Sequence, residues 1–125
     1  MSRVVLTIGP AHTLRQAARM MSARRIGAAV VIDPEHAGIG ILTERDILLK
    51  AAGDKLDLNA VRVRDVMTPD PVICGDHDTL AVALHKMSVG GFRHLPLVTK
   101  DSEPHVVSIQ DLFRHISHFI PTHAS

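Results

Sequence analysis

Aromatic residues are almost absent from this chain of 125 residues, which contains three Phe and neither Trp nor Tyr. The hydrophobic core must therefore consist of Val, Ile, Leu, Ala and Met side chains. Because bases stack on aromatic side chains, platforms for single-stranded nucleic acid are hard to build from this composition. Cysteine is equally scarce: Cys74 is the only one. It cannot form an internal disulfide, which is typical of proteins from a reducing compartment.

A large charge of one sign and long apolar runs are also missing. The formal net charge is +1, so no strong field attracts a polyanion, and we expect no nucleic-acid partner. Apolar runs such as 28–32 are far too short to cross a bilayer, and residues 1–6 lack the features of a signal peptide. We therefore expect one compact cytoplasmic domain with no membrane partner.

What the chain does contain is an internal repeat. Thr13-Leu14 and Met21-Ser22 recur as Thr79-Leu80 and Met87-Ser88, and the segment 41–47 recurs as 106–112. A duplicated unit of this kind usually forms two halves that bury their apolar faces against each other. Ligand pockets commonly form in such an interface. We place the boundary between the halves after residue 58, so that 1–58 is the first repeat and 59–125 holds a linker and the second.

Each half has the pattern of a β-α-β-β-α unit, which predicts an α+β fold. The first strands are predicted at 4–8 and 72–74, and the first helices follow with apolar residues at helical spacing from Leu14 and Leu80. Thr13 and Thr79 (or Asp78) are suitable helix N-caps, and glycines at 27 and at 90–91 are expected after the helix ends.

Two strands and a second helix complete each predicted unit. The strand pairs are expected at 28–32 with 39–42 and at 94–98 with 106–107, each joined by a segment rich in turn residues. The closing helices are expected from 44 to about 52 and from 109 to about 120. Residues 53–71 are the predicted linker, with a short ordered piece at 63–67.

The repeat ends both times in a hydroxyl residue followed three positions later by Asp. Thr43 and Asp46 form the first pair, and Ser108 and Asp111 form the second. A carboxylate in the first turn of a helix can accept hydrogen bonds from ribose hydroxyls, and the free backbone N–H groups there favour an anion. The same spacing is close to an ordinary capping box that binds nothing. Both interpretations stay open, and they are compatible.

At this point the chain resembles a tandem pair of CBS domains, also called a Bateman module. The resemblance rests on the repeat, on the stretch from Gly40 to Asp46, on the linker 63–69 and on the segment 91–98. It implies that two β-α-β-β-α repeats, related by a pseudo-two-fold axis, pack through their sheets and leave two clefts. It also implies a homodimer and an adenosyl ligand such as AMP, ADP, ATP, NAD or S-adenosylmethionine.

The resemblance also assigns roles to individual residues. In the first cleft, Thr43 and Asp46 would hold ribose, Ile41 would line the base pocket, Arg93 and His94 would approach phosphate, and Pro96 would lie beside them. In the second cleft, Ser108 and Asp111 would hold ribose beside Val106. Gly27 and Ala28 match Arg93 and His94 there, and His105 replaces the usual Gly. We therefore expect the first cleft to favour a phosphorylated ligand, and the second cleft to be weaker, empty or suited to a neutral adenosyl group.

The other candidate sites are explained by ordinary structural roles. His115 and His118 have ligand spacing, with His123 beyond them, but no third fixed ligand or Cys cluster accompanies them, so we expect no metal. Arg24 and Arg25 fit a solvated helix face, and Cys74 fits a buried strand end rather than a nucleophile.

The sequence therefore favours a stand-alone regulatory module rather than an enzyme. An adenine nucleotide would be its regulatory ligand, with no required cofactor, and an unidentified effector protein would receive the signal. The alternative from another class is a scaffold for oligomerisation or protein binding whose clefts stay empty.

Overall fold

The computed structural model describes residues 6–54, 57–100 and 103–119. The first half contains strands β1, β2 and β3 with helices α1 and α2, in the order β1 Thr7–Ile8, α1 Leu14–Arg24, β2 Ala28–Ile32, β3 Ile39–Thr43, α2 Glu44–Asp54. A 3-10 turn at Val63–Asp65 and strand β4 Thr68–Pro69 follow. The second half consists of α3 Leu80–Gly90, β5 His94–Leu97, β6 His105–Ser108 and α4 Ile109–Phe119. The predicted α+β fold is confirmed.

The first half is built on a four-stranded sheet in the order β1-β2-β3-β4. β2 pairs parallel with β1 and antiparallel with β3, in a register that sets Ala28 opposite Thr43 and Val30 opposite Ile41. The turn between β2 and β3 begins at Asp33, whose Oδ1 accepts a hydrogen bond from the Glu35 backbone N–H at 2.9 Å. This register carries Thr43 to the end of β3, where α2 begins.

Helix α1 begins at a capping box and ends in a left-handed residue. Thr13 Oγ1 accepts from the backbone N–H of Gln16 at 3.1 Å, and the Gln16 side chain accepts from the backbone N–H of Thr13. Leu14, Ala17 and Met21 face the core. The helix is capped by Arg25, which adopts φ 53°, and Gly27 follows this end as predicted without being the cap itself. In α3 the equivalent cap is Gly91, as predicted.

The second half has a smaller sheet, in which β5 pairs antiparallel with β6. The predicted strand at 72–74 is reduced to a single parallel bridge between Cys74 and Leu97. Two hydrogen bonds hold it: Cys74 N–H donates to the Pro96 carbonyl at 2.9 Å, and Val98 N–H donates to the Cys74 carbonyl at 2.8 Å. Of the corresponding predicted strand 4–8 in the first half, the described residues show β1 at Thr7–Ile8, and residues 4 and 5 lie outside the described part.

The linker packs on the first half. Val63 is fully buried in the first core, its backbone N–H donates to the His12 carbonyl at 2.8 Å, and the Leu14 N–H donates to the Val61 carbonyl at 2.9 Å. β4, which the sequence did not predict, adds to the free edge of β3. The division of the chain after residue 58 stays a prediction.

Each half has its own aliphatic core, and the halves meet through their sheets. The first core includes Leu14, Val31 and Leu42, and the second includes Met87 and Leu95. β2 of the first half contacts β6 of the second. The starts of β2 and β5, the end of β6 and the first turns of α2 and α4 therefore come together between the halves.

Candidate functional site

A cavity of about 990 Å³ lies where these elements converge, and it is lined from both halves. The first half contributes the end of α1, the start of β2 and the first turns of α2. The second half contributes the start of β5, β6 and the first turns of α4. Its volume is at the upper end of the range of about 300–1,000 Å³ that is usual for small-molecule sites.

The Ser108–Asp111 motif lines this cavity and also caps α4. The Asp111 backbone N–H donates to Ser108 Oγ at 3.1 Å, and the Ser108 backbone N–H donates to Asp111 Oδ2 at 3.3 Å. The other carboxylate oxygen, Oδ1, lies 3.6 Å from Arg114 Nη1. The capping and ligand interpretations are thus compatible in geometry: one oxygen serves the helix end, and both motif residues border the cavity. Half-buried Val106 lines the same wall.

The Thr43–Asp46 motif forms the same box at the start of α2 but does not line the cavity. The Thr43 backbone N–H donates to Asp46 Oδ2 at 2.9 Å, and the Asp46 N–H donates to Thr43 Oγ1 at 3.1 Å. Ile41 is buried within the sheet, opposite Val30. α2 instead contributes Glu44, Ile47 and Leu48 to the cavity wall.

Arg93 and His94 lie on the cavity, on the same wall as Ser108 and Asp111. The sequence hypothesis assigned them to the Thr43–Asp46 cleft. His94 pairs with Ser108 across the β5–β6 ladder, so the register fixes this placement. Pro96, two residues further along β5, is fully buried opposite Val106 and does not line the cavity.

His94 is half-buried and lies near three charged groups, those of Glu44, Arg93 and Asp111. A Cβ atom added at Gly27 would lie 3.3 Å from His94 Nε2 and 3.2 Å from Glu44 Oε1, so the three residues converge. Burial lowers the pKa of His94 below its usual value; Glu44 and Asp111 act against this, whereas Arg93 acts with it. The imidazole is therefore poised to gain a proton if a further negative charge enters the cavity.

The cavity is richer in cationic groups than the sequence analysis expected. Four guanidinium groups line it, those of Arg24, Arg25, Arg93 and Arg114, together with the carboxylates of Glu44 and Asp111. The alignment of the two repeats predicts that this cleft lacks side chains for phosphate, because it compares only the strand-start positions Gly27 and Ala28 with Arg93 and His94. The missed signal was the adjacent pair Arg24-Arg25, which immediately precedes that strand.

His105 is a second residue on this wall with an unusual environment. Its side chain lines the cavity, and its Nδ1 atom is buried without a hydrogen-bond partner among the described residues. It occupies the repeat position of Gly40, where an added Cβ atom would lie 2.9 Å from Met67 Sδ. The first half therefore packs the linker against this position, and the second half places an imidazole there.

The remaining candidate reactive groups are Cys74 and the histidines near the end of the chain. Burial raises the pKa of the Cys74 thiol, which opposes formation of the nucleophilic thiolate. Within residues 6–54, 57–100 and 103–119, no cluster of three or more His, Cys, Asp or Glu side chains could hold a metal ion. The side chains of His115 and His118, and all of His123, lie outside the described part. None of the described helices is long and apolar enough to span a bilayer.

Comparison with known proteins identifies related sequences in both halves. A family model described as the CBS domain matches residues 1–53 and again 63–118. The CBS domain-containing protein CBSCBSPB5 of Arabidopsis thaliana is 46% identical over 94 residues, which are 74% of this chain and 17% of that protein. This chain therefore spans less than a fifth of that relative's length.

Solved structures share the whole arrangement. The CBS-domain containing protein ATU1752 from Agrobacterium tumefaciens is 32% identical, with a TM-score of 0.81 and coverage of 92% of this chain and 91% of that one. The CBS domain protein PAE2072 from Pyrobaculum aerophilum, whose structure is complexed with AMP, is 25% identical, with a TM-score of 0.77 and coverage of 94% and 95%.

Proposed function

This chain belongs to the CBS domain family as a tandem pair of these domains, and on that premise we propose that it is a regulatory module that binds an adenosyl ligand in the cavity between its halves. The observation that carries the proposal is Asp111, a carboxylate in the first turn of α4 that borders a cavity large enough for a nucleotide. The structural relative that holds AMP supports the choice of ligand class.

The cavity offers a different group for each part of such a ligand. Asp111 would accept hydrogen bonds from the ribose hydroxyls beside Ser108, and Val106 would contact the base. Arg93 and His94 would meet phosphate, since a guanidinium offers paired donors to phosphate oxygens and a protonated imidazole adds one more. Ser108 and Asp111 come from the second half and Gly27 and Ala28 from the first, so the ligand would touch both halves.

A second, weaker site is proposed at the equivalent motif of the first half. Thr43 and Asp46 share the hydrogen-bond geometry of Ser108 and Asp111, and Ile41 matches Val106 in the repeat. Pro96 would affect that site only through the packing of β5. We rank this site below the one at Asp111, because none of its residues lines the described cavity. These residues are Ile41, Thr43, Asp46 and Pro96.

The proposed output is a change in the arrangement of the halves that a partner detects, without catalysis. A ligand can shift such an equilibrium only through its different affinity for the two arrangements, and one that contacts both halves has the means to do so. The exposed apolar side chains Leu48 and Leu49 on α2 and Phe113 on α4, each at least 60% exposed, are the surface we assign to a second copy of the chain. An effector protein would recognise the resulting dimer.

The test is the thermal shift of the full chain with AMP, ADP, ATP, NAD and S-adenosylmethionine, each titrated to saturation. A ligand at a hundred times its Kd stabilises a folded protein by about 2.7 kcal/mol. Asp111→Asn is the decisive variant, because an amide oxygen can still accept the Ser108 N–H while the negative charge is lost. We expect it to keep the melting temperature of the ligand-free protein and to lose the shift.

The scaffold alternative is favoured by one observation, the complete capping boxes at both motifs. If this alternative holds, none of the five compounds shifts the wild-type protein. Asp111→Ala then lowers the free energy of unfolding only by the contribution of one helix cap, about 0.5–2 kcal/mol. Wild-type binding that survives Asp111→Asn would instead show that the ligand binds elsewhere.

A further inference from the structure

The ends of α1 and α3 occupy the same point of the repeat and adopt the same backbone conformation with different residues. Gly91 caps α3 at φ 70°, and Arg25 caps α1 at φ 53° with ψ 44°. Glycine enters this left-handed region freely, whereas any residue with a Cβ atom is strained there. Stability alone would therefore place Gly at position 25, as it does at position 91.

The strained arginine lies at the wall of the cavity. The Arg25 backbone N–H closes the helix by donating to the Ser22 carbonyl at 3.1 Å, so its position is fixed by α1. Its exposed side chain lines the cavity that contains Asp111. Strained residues concentrate at functional sites, where the surrounding structure maintains them for a reason other than stability.

Arg25 faces the cavity together with cations from other elements. Arg24 also comes from the end of α1, Arg93 precedes β5, and Arg114 lies in α4, so guanidinium groups border the space from both halves. A single terminal phosphate has three peripheral oxygens, and an arginine that binds in bidentate fashion uses two of them. Because these arginines come from both halves, a chain of phosphates, which supplies further oxygens along its length, can contact cations on both sides of the cavity.

We infer that the cavity selects an adenosyl ligand with two or more phosphates, and that Arg25 is a specificity-determining residue for the phosphates beyond the first. This inference rests on the proposed function and narrows its ligand class. Arg93 and His94 bind the phosphate nearest the ribose, and Arg25 binds the outer ones from the opposite half. A ligand such as AMP or S-adenosylmethionine leaves Arg25 without its anionic partner.

A purely structural role for Arg25 gives a different result. A basic residue at a helix C-terminus interacts favourably with the helix dipole and the last carbonyl groups, whether or not a ligand is present. In that case its replacement lowers the stability of the protein and leaves the relative affinities for AMP and ATP unchanged.

The experiment is calorimetric titration of AMP, ADP and ATP into the full chain and its Arg25→Gly variant. The variant copies Gly91, so it relieves the strained backbone, and we expect a melting temperature equal to or above that of the wild type. Wild-type protein should bind ATP at least about ten-fold more tightly than AMP, and Arg25→Gly should remove about ten-fold of ATP affinity. AMP affinity should change by less than about two-fold, because AMP does not reach Arg25.

The control variant is Arg15→Gln, which removes one positive charge from the exposed face of α1, away from this cavity. It should change none of these affinities and should leave the melting temperature as in the wild type.

The outcomes separate this inference from the proposed function. Equal affinity of the wild type for AMP and ATP, or an Arg25→Gly variant with undiminished ATP affinity, overturns the inference and leaves the adenosyl site standing. If none of AMP, ADP, ATP, NAD and S-adenosylmethionine binds, the proposed function fails, and inorganic tripolyphosphate becomes the probe. Tripolyphosphate binding that Arg25→Gly weakens supports a polyphosphate site on these arginines, whereas no binding overturns that as well.

Discussion

Gly27 of the first half lies against His94 of the second, with His94 Nε2 only 3.3 Å from where a Cβ atom at Gly27 would stand. Glu44 Oε1 would lie 3.2 Å from the same atom. These distances are shorter than comfortable van der Waals contacts, so a side chain at position 27 would displace groups that border the cavity. The absence of a side chain at Gly27 therefore helps to set the width of the site.

Gly27→Ala should weaken ligand binding more than it weakens the fold. The added methyl group would push His94 or Glu44 towards the ligand, and a small misplacement of binding groups lowers affinity; we expect a loss of about ten-fold. Isothermal titration with the ligand found in the thermal-shift panel measures this loss of affinity.

Gly53→Ala, in α2, is the control, since its Cβ atom would meet nothing within 4 Å. It should leave affinity unchanged and stabilise the helix by about 0.5–1 kcal/mol. Equal affinity of the Gly27→Ala variant and the wild type would mean that the ligand does not approach this contact.

The two repeats should contribute unequally to binding despite their matching motifs. Asp111 borders the cavity and Asp46 does not, so Asp111→Ala should remove most of the affinity while Asp46→Ala changes it by less than about three-fold. Both variants lose a helix cap of similar geometry, so each serves as the stability control for the other. A larger loss of affinity in Asp46→Ala would move the principal site to the first motif.

Ligand affinity should increase as the pH is lowered from about 7.5 to about 6, around the usual pKa of histidine. Burial lowers the pKa of His94 in the ligand-free protein, against the effect of Glu44 and Asp111. A bound phosphate would raise that pKa, so binding takes up a proton. His94→Gln should flatten the pH profile, and His85→Gln, an exposed histidine on α3, should leave it unchanged. An unaltered profile in His94→Gln would mean that another group takes up the proton.

The free energy of unfolding of the ligand-free protein should decrease as the pH is lowered, whereas the ligand affinity should increase. His94 should contribute to both effects. Because its folded-state pKa lies below the unfolded value, the unfolded chain binds the proton first. The stabilising contribution of neutral His94 is therefore present above the unfolded pKa and is lost as the pH falls from that value through the lower folded-state pKa. Urea unfolding at several pH values should give a smaller decrease on acidification for His94→Gln than for the wild type. An equal decrease in both would assign the acid sensitivity to other groups.

The exposed apolar surface on α2 and α4 should control the oligomeric state. Phe113 is 60% exposed and Leu49 is 61% exposed, so neither contributes to a core of the single chain. Phe113→Glu should convert a dimer into a monomer in sedimentation experiments, because an unpaired charge would be buried in the contact. Val89→Glu, an exposed apolar residue on α3, is the matched control and should leave the dimer intact. A Phe113→Glu variant that stays dimeric would exclude this surface as the contact.

The elements that could be predicted are those set by local patterns. The caps at Thr13 and Thr79, the strand pairs and the two-fold repeat follow from spacing within one half and from its repetition in the other, whereas the CBS family was identified by resemblance. The missed features depend on longer-range contacts. β4 pairs with the edge of β3 because the linker passes there, and the predicted strand at 72–74 is reduced to a single bridge between Cys74 and Leu97.

The sequence by itself determined the two halves and the two acid–hydroxyl motifs, because a capping box is made by residues three positions apart and needs no other part of the chain. The tertiary structure decided which motif borders the cavity. It also brought Arg25, at a helix end of the first half, to the same cavity as Arg93 and Arg114 of the second half, which are distant in sequence. The register of β5 and β6 and the contact of β2 with β6 carry these side chains to one place. Equivalent local motifs therefore have different surroundings, because the charges around them are set by the packing of the two halves.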